Sequence, residues 1–276
     1  MQTEPRPVHL ALIQFEAELC AVEANVAKAC RMVVEAGSQG ADLVVLPELF
    51  STGYELDIVG PRIAELAEPV DGPTVRALQD AARAGNCNVV AGLALTHDVP
   101  GVVHNSAVVI DRTGALVGTY DKQHLWALER FYFRAGAGSP VFDLDFGRIG
   151  VMICYDMGYP EVSRALALKG AELVVCPSAW CAEDMDVWRV NAPARALDNT
   201  VFLAAVNRFG REGESLYMPG HTMVCNPRGT VLVELEVEAE GVLHRVIDLA
   251  TLPAFRTRSP YLRDRRPELY EDVLLP

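Results

Sequence analysis

Glu48, Lys122 and Cys154 are the residues of this sequence whose types and positions could do chemistry together. Each stands at, or just past, the end of an apolar stretch of strand length, and in open α/β sheets ligands collect at the carboxyl ends of strands. A cysteine is a nucleophile once its proton is removed, and a carboxylate among apolar neighbours is suited to remove it near neutral pH. An ammonium group beside a reacting carbonyl can hold an oxyanion or a thiolate. Taken singly, each residue is explained as well by a solvated strand end or an ordinary packed side chain.

Cys154 differs from the other cysteines in its position. It lies where an apolar strand turns into a helix that begins at Pro160, and such a turn leaves backbone N–H groups free to bind an oxyanion. A thiol protease would instead pair Cys154 with His124 or His221, which leaves the placement of the glutamate and the lysine unexplained. The remaining cysteines are expected to be small buried hydrophobic residues: Cys20, Cys30, Cys87, Cys176, Cys181 and Cys225.

Longer motifs surround these residues, and in this order they resemble the nitrilase, or carbon–nitrogen hydrolase, superfamily, which carries a glutamate, a lysine and a cysteine in the same chain order. The resemblance extends over roughly residues 8 to 250. Two positions depart from the family's pattern: Asp121 stands where many members have an arginine, and His221 stands where many have a serine. The matching motifs are Pro47-Glu48 with Gly53-Tyr54, Lys122-x-His124-Leu125, Cys154-Tyr155-Asp156 with Pro160-Glu161, Arg164 to Glu172, Pro177-Ser178-Ala179, Arg195-Ala196-x-x-Asn199, Asn207, and Asn226-Pro227-x-Gly229.

The resemblance implies a four-layer α-β-β-α sandwich with two mixed β-sheets. It also implies that subunits form a homodimer or a larger homo-oligomer, pairing through helices and the C-terminal arm. It assigns catalysis to Glu48, Lys122 and Cys154, with Glu129 as a second glutamate that positions the substrate and the lysine. Chemistry of this kind needs no metal and no cofactor.

The hydrophobic pattern predicts the elements that must position these side chains. Helices are predicted at 19–38, 74–84, 160–169 and 183–198, the last bent or interrupted at Pro193. At least ten strands with several hairpin turns favour a layered sandwich of two mixed sheets over a doubly wound α/β sheet. The predicted strands are 8–14, 42–46, 88–95, 104–111, 115–120, 148–154, 172–176, 201–207, 221–226, 230–234 and 241–248.

Length and composition narrow the class of protein. The chain has 276 residues, of which 50% are hydrophobic and 22% charged, and we expect residues 1–276 to form one domain. Residues 252–276 are predicted to form an extended arm that packs on the body or at a subunit interface. The net charge of −13 argues against a nucleic-acid or membrane-surface partner. We find no signal peptide and no apolar stretch long enough to span a membrane, so a cytoplasmic location is expected.

The cysteines and histidines give no sign of cross-links or metal. The 7 cysteines contain no C-x-x-C pair, and the 6 histidines show no ligand spacing such as H-x-x-x-H. These patterns argue against a disulfide framework and against a bound metal.

The sequence therefore predicts an amidase that uses cysteine to hydrolyse a small non-peptide carboxamide to the acid and ammonia. N-carbamoyl amine or amino-acid hydrolysis, which releases carbon dioxide and ammonia, is the alternative. A nitrilase is disfavoured, because nitrilases tend to follow the cysteine with Trp-Glu where this chain has Tyr155-Asp156. A catalytically inactive binding or regulatory subunit also stays open.

The walls of the substrate pocket are expected to come from residues close in sequence to the catalytic positions. A cluster of acidic residues could also bind an amino group of the substrate. The stronger explanation is that these residues lie in the first turn of a helix, where their charge offsets the helix dipole. The cluster consists of Glu183, Asp184 and Asp186. The expected pocket walls are Tyr54, Trp126, Tyr155, Met157 and Trp180.

Overall fold

The computed structural model describes residues 4–274, which alternate between strands and helices. The strands are β1 (Pro7–Gln14), β2 (Leu43–Val45), β3 (Glu68–Pro69), β4 (Asn88–Thr96), β5 (Val103–Ile110), β6 (Leu116–Asp121), β7 (Val141–Leu144), β8 (Gly147–Val151), β9 (Leu173–Ser178), β10 (Phe202–Asn207), β11 (Phe209–Glu212), β12 (Leu216–Pro219), β13 (Met223–Cys225), β14 (Val231–Glu234) and β15 (Gly241–Asp248). The helices are α1 (Val22–Ser38), α2 (Leu56–Val59), α3 (Ile63–Leu66), α4 (Pro73–Gly85), α5 (Glu129–Tyr132), α6 (Pro160–Leu168), α7 (Met185–Asn199) and α8 (Leu252–Arg258).

Two mixed sheets form the body of the chain. The first has the strand order β15-β1-β2-β4-β5-β6, with β3 paired to β4, and the second has the order β14-β13-β10-β9-β8-β7. In each sheet, parallel pairs at the centre are flanked by antiparallel pairs. Strands β11 and β12 form a separate antiparallel ribbon.

Strand β1 shows how the layers are built. Its residues Leu10 and Leu12 lie in the core between the two sheets, whereas Ala11 and Ile13 lie in the core under α1 and α4. Successive side chains of a strand point to opposite faces, so an apolar strand buried on both faces must contribute to two cores. Helices α6 and α7 cover the outer face of the second sheet with side chains such as Trp188. The predicted four-layer sandwich with two mixed sheets is confirmed, and the doubly wound alternative is wrong.

Two elements differ from the sequence expectations. Helix α7 runs from Met185 through Pro193 without a break, because the helix is held by its buried face, which includes Trp188 and Ala192. The predicted strand 148–154 ends at Val151, since the chain turns into a short 3₁₀ helix at Cys154.

The C-terminal tail is not extended where it begins. It starts with α8, whose Leu252 is buried and whose Phe255 ring lies edge-on to Phe202 with 6.5 Å between centroids. The tail therefore packs on the body of its own chain, and its predicted place at a subunit interface stays a prediction. Residues 275–276 of the arm lie outside the described residues. Among residues 4–274, no helix is long and apolar enough to cross a membrane.

Candidate active site

Lys122 stands at the centre of a buried group of charges. It directly follows β6, and its ammonium group donates to Glu48 Oε1 and to Glu129 Oε1, both at 2.7 Å. All three side chains are fully buried. An ammonium ion removed from water needs such partners, because an unpaired buried charge is expensive. The structure therefore brings together three residues that lie 74 and 7 positions apart in the chain.

Glu48 is held by donors from the first sheet and from the end of β9. Asn105 Nδ2 donates to its Oε1 at 2.6 Å, and the backbone N–H of Ala179 donates to its Oε2 at 2.8 Å. The loop that carries Glu48 lies against β4 at Gly92, where a Cβ would come within 2.7 Å of the Glu48 Cα. A glycine is therefore required at this position of the strand.

Glu129 begins the short helix α5 and has its own donors. The Tyr54 hydroxyl donates to Glu129 Oε1 at 2.5 Å, and the backbone N–H of Trp126 donates to Oε2 at 3.1 Å. Both carboxylate oxygens are thereby fixed, and with them one side of the Lys122 ammonium.

Cys154 occupies a tight turn between β8 and α6. Its φ of 47° lies in the left-handed region, which is unusual for a residue with a side chain. Asp156, two residues later, holds this turn. Its Oδ2 accepts from the backbone N–H of Ile153 at 3.0 Å and from the Tyr120 hydroxyl at 2.6 Å. Its Oδ1 accepts from the backbone N–H and the ring of His124, both at 2.9 Å. This one carboxylate therefore ties the cysteine turn to the segment that carries the lysine.

The charges at the site shift one another's protonation. Burial raises the pKa of the Cys154 thiol well above its ordinary value; the charge of Glu48 adds to this shift and that of Lys122 opposes it. Burial also raises the pKa of Glu129, against the opposing effect of Lys122. Burial alone would lower the pKa of Lys122, but the carboxylates of Glu129 and Glu48 more than offset it and hold that pKa well above the usual range. The resting site therefore carries an ammonium ion and a protonated thiol.

A cavity of about 220 Å³ opens at Cys154. Four of the five predicted pocket residues line it: Tyr54, Trp126, Tyr155 and Trp180. Met157, the fifth, is not among the lining residues: it lies in the 3₁₀ helix of the cysteine turn, and its side chain is fully buried in the hydrophobic core. The other lining residues are Gly158, Ala179, Cys181, Asp184, Val187, Asn191 and Leu216.

Asp184 is the single charged residue among the described residues that line this cavity. Its neighbours Glu183 and Asp186 are exposed and do not line it, so the structure separates one member of the acidic cluster from the other two. The indole N–H of Trp180 donates to the Asp184 backbone carbonyl at 2.8 Å and thus fixes the segment.

The two histidines that a thiol protease could pair with Cys154 have other partners. His124 is stacked on Tyr159 with 3.7 Å between ring centroids and bonds to Asp156, while His221 Nδ1 lies 2.6 Å from Glu234 Oε1. Neither histidine lines the cavity at Cys154. The charged groups that shift the pKa of the Cys154 thiol are instead Glu48, Lys122 and Glu129.

Sequence reasoning missed several residues that hold the site. Asn105 stands in the apolar strand β5, where a buried amide is the signal that could have revealed it. Glu212, whose Oε2 accepts from the backbone N–H groups of Tyr54 and Glu55 at 2.6 and 2.7 Å, is itself buried and paired with Arg208. Neither residue belongs to one of the motifs, so motif spacing could not indicate them.

Comparison with known proteins agrees with this geometry. Residues 9–257 match the family model of carbon-nitrogen hydrolases. The chain is 37% identical over 268 residues to a protein named nitrilase from Pyrococcus abyssi, covering 95% of this chain and 99% of the relative. It is 33% identical over 298 residues to an N-carbamoylputrescine amidase from Arabidopsis thaliana, covering 99% and 98%.

A solved structure gives the same result. A Glu-to-Gln variant of the amidase from Nesterenkonia sp. AN1, with the acetamide moiety of fluoroacetamide added covalently at its active-site cysteine, superimposes with a TM-score of 0.85 at 30% identity. The alignment covers 97% of each chain. Fold and site together define a hydrolase of the nitrilase superfamily. The chain belongs to the carbon–nitrogen hydrolase family, and its relatives include amidases.

Proposed function

We propose that this enzyme hydrolyses the C–N bond of a small non-peptide carboxamide to the carboxylic acid and ammonia, through a thioester on Cys154. The observation that carries the proposal is the buried Lys122 ammonium, held at 2.7 Å by both Glu48 and Glu129 beside a cavity that contains the cysteine. A binding or regulatory subunit would have no need of so costly a group of buried charges.

In the first half of the reaction, Glu48 accepts the proton of the Cys154 thiol as the sulfur bonds to the carbonyl carbon. The protonated resting thiol supports this order, since its pKa is raised by burial and by Glu48. The developing oxyanion is held by the Lys122 ammonium and the backbone N–H of Tyr155. A donor of this kind is typically worth about 3 kcal/mol of barrier. Glu48 then gives its proton to the nitrogen, ammonia leaves, and the thioester remains.

In the second half, a water molecule takes the place of ammonia. Glu48 accepts a proton from this water as its oxygen bonds to the thioester carbon, and the same two donors hold the oxyanion again. Collapse breaks the C–S bond, the thiolate takes the proton back from Glu48, and the acid leaves. Glu129 stays in place throughout and positions Lys122.

The cavity supports a substrate with a short apolar body. Its volume is about 220 Å³, and aromatic side chains from Tyr54, Trp126, Tyr155 and Trp180 form much of its wall. Pockets of this kind bind through apolar contact and use few polar groups to fix orientation.

One observation favours a second candidate, hydrolysis of an N-carbamoyl amine. Asp184 is the charged residue among those that line the cavity, and its carboxylate could pair with a cationic amino group at the far end of a substrate. A relative of 33% identity carries the name N-carbamoylputrescine amidase. A carbamoyl group presents a carbonyl carbon bonded to nitrogen, so the same cysteine chemistry applies, with carbon dioxide as a further product.

A panel of substrates separates these functions. Short primary amides, ω-amino amides, N-carbamoyl amines and nitriles would be incubated with the purified enzyme, and ammonia and carbon dioxide would be measured. We expect ammonia without carbon dioxide from the primary amides. Release of carbon dioxide from the carbamoyl compounds at a higher kcat/KM would replace the amidase proposal by the second candidate.

Two variants control the panel. Cys154→Ala is expected to remove all turnover above background, and retained turnover would refute the thioester route. Asp184→Asn separates the substrate classes: it should raise KM for ω-amino substrates and leave KM for uncharged amides little changed. An equal effect on both classes would show that Asp184 does not recognise a cation.

A further inference from the structure

Three polar side chains meet on the outer face of the first sheet, away from the catalytic residues. His97 follows β4, His104 lies in β5, and Asp121 ends β6. His97 Nε2 lies 3.0 Å from Asp121 Oδ1, and His104 Nδ1 lies 3.7 Å from Asp121 Oδ2. One ligand atom from each residue lies within 4.8 Å of the others, and among the described residues no other group of three histidines, cysteines or acids does so.

His104 is the residue whose environment is incomplete. The residue is 8% exposed, and its Nδ1 is buried with no hydrogen-bond partner among the described residues. A buried polar atom without a partner has lost its hydrogen bonds to water and gained none in the protein, so native structures rarely retain one without a reason. This nitrogen faces Asp121, whose carboxylate is already oriented by the Ser106 hydroxyl at 2.6 Å.

We propose that His97, His104 and Asp121 bind a divalent transition-metal ion of the Zn²⁺ type. Two imidazole nitrogens with one carboxylate are a ligand set suited to Zn²⁺, Co²⁺, Ni²⁺ or Cu²⁺ rather than to Mg²⁺ or Ca²⁺, which favour oxygen ligands. Around a tetrahedral Zn²⁺ with bonds of about 2.0 Å, ligand atoms are about 3.3 Å apart. The separations of 3.0 and 3.7 Å bracket that value.

The surroundings complete the arrangement. His97 is exposed at the surface, so an ion can enter from solvent, and a water molecule can take the fourth position. Ser106 supports the coordinating carboxylate in the way that outer hydrogen bonds commonly orient metal ligands.

The position of this metal site connects it to the active site. Ser106 pairs with Asp121 across β5 and β6, and the next residues along these strands, Asn105 and Lys122, belong to the catalytic group. The backbone N–H of Lys122 also donates to the Asn105 carbonyl at 2.8 Å. An ion bound by the three ligands therefore ties together β4, β5 and β6 directly behind the catalytic lysine.

Metal binding tests the proposal without reference to activity. The chain would be stripped with a chelator and titrated with Co²⁺, followed by visible absorption, and with Zn²⁺, followed by calorimetry. We expect one ion per chain and a Co²⁺ spectrum of a four-coordinate site with nitrogen ligands. His97→Ala alters an exposed side chain and should lower the affinity by at least about tenfold, with His104→Asn as the second variant.

A control variant isolates the cluster. His9 Nε2 and His244 Nδ1 lie 3.0 Å apart, so all proteins would carry His9→Ala to remove a competing pair. His221→Ala alters another histidine–carboxylate pair, with Glu234 at 2.6 Å, and should retain the starting affinity. The proposal is overturned if no ion binds, or if His97→Ala and His104→Asn bind Zn²⁺ as tightly as the starting protein.

Discussion

The two faces of the β5–β6 strand pair carry different arrangements of polar residues. On the inner face, Lys122 is fully buried and its ammonium has two carboxylate partners supplied by the chain itself. On the outer face, His104 Nδ1 has no hydrogen-bond partner among the described residues, and the nearby His97 is exposed. The inner face thus pairs its charges with one another, whereas the outer face combines the His97–Asp121 pair with a ring nitrogen that has no hydrogen-bond partner in residues 4–274.

The alternation of side chains along a strand explains this difference. Ala107 and Val109 of β5 lie in the core between the sheets, and Val108 and Ile110 lie in the core under the helices. Side chains of a strand alternate between its two faces with a period of two. Asn105 therefore lies on the same face as Ala107 and Val109, and His104 lies on the same face as Val108 and Ile110. Neighbouring residues on one strand therefore belong to different groups of polar side chains, and the following predictions test whether the two groups act separately.

Loss of the ammonium on the inner face should have the largest effect. Lys122→Met keeps the length of the side chain but leaves Glu48 and Glu129 facing each other and removes the proposed oxyanion donor. We expect kcat/KM for a carboxamide to fall by at least about 10³-fold, measured by ammonia release. Circular dichroism would confirm that the variant is folded. Activity above a tenth of the starting value would contradict the assignment of Lys122.

Asn105 and Ser106 provide a matched pair on the two faces. Asn105→Ala removes the 2.6 Å hydrogen bond to Glu48 Oε1 and should lower kcat by about 10- to 100-fold, because Glu48, the proposed base, loses its fixed orientation. Ser106→Ala, one residue along the strand, should lower kcat by less than about threefold. The pH profile of kcat should shift in the first variant only. An equal loss of kcat in both variants would mean that activity depends on the strand pair as a whole and not on the inner face alone.

The protonation of the cysteine can be measured directly. Burial, with a smaller contribution from Glu48, raises the pKa of the Cys154 thiol, so the folded chain keeps this proton to higher pH than the unfolded chain does. The contribution of this group to the free energy of unfolding is therefore complete below about pH 8.5 and declines as the pH rises above that value. The difference in thiolate absorbance between the native enzyme and Cys154→Ser should show no ionisation step below about pH 8.5. A step near or below neutral pH would refute the protonated resting thiol.

The smallest effect is expected on the outer face. Zn²⁺ at about 100 times its Kd should stabilise the chain by about 2.7 kcal/mol and raise Tm by a few degrees. Asp121→Asn should show a much smaller rise, while its kcat/KM without metal should fall by less than about threefold. If Asp121→Asn responds to Zn²⁺ as the native chain does, the stabilisation comes from another site.

The elements of the fold follow from the sequence to a large extent. Alternation and apolar runs gave strands such as β1 and β15 at their observed bounds of 7–14 and 241–248 to within one residue. Where prediction missed, a tertiary contact decided the outcome: α7 passes through Pro193 because its buried face holds it, and the tail begins as a helix because Leu252 and Phe255 reach the core.

The site shows the same division. Glu48, Lys122, Glu129 and Cys154 are marked in the sequence by their places after strands and within motifs, and the structure brings the two glutamates onto the lysine beside the cysteine's cavity. Asn105 carries no motif, because its role depends on the strand that pairs beside the lysine. Met157 lies next to pocket residues in sequence yet points into the core, since one residue along a tight turn changes direction completely.

By itself, the sequence determined which residues are chemically able to act, in which order they occur, and that the chain folds as layered strands and helices, because residue type and hydrophobic period are local properties. The tertiary structure decided which of these residues meet. His97, His104 and Asp121 have no ligand spacing in the sequence, and only the pairing of β4, β5 and β6 sets them side by side. The physical reason is that a sheet joins residues by register across strands, a relation that distance along the chain does not contain.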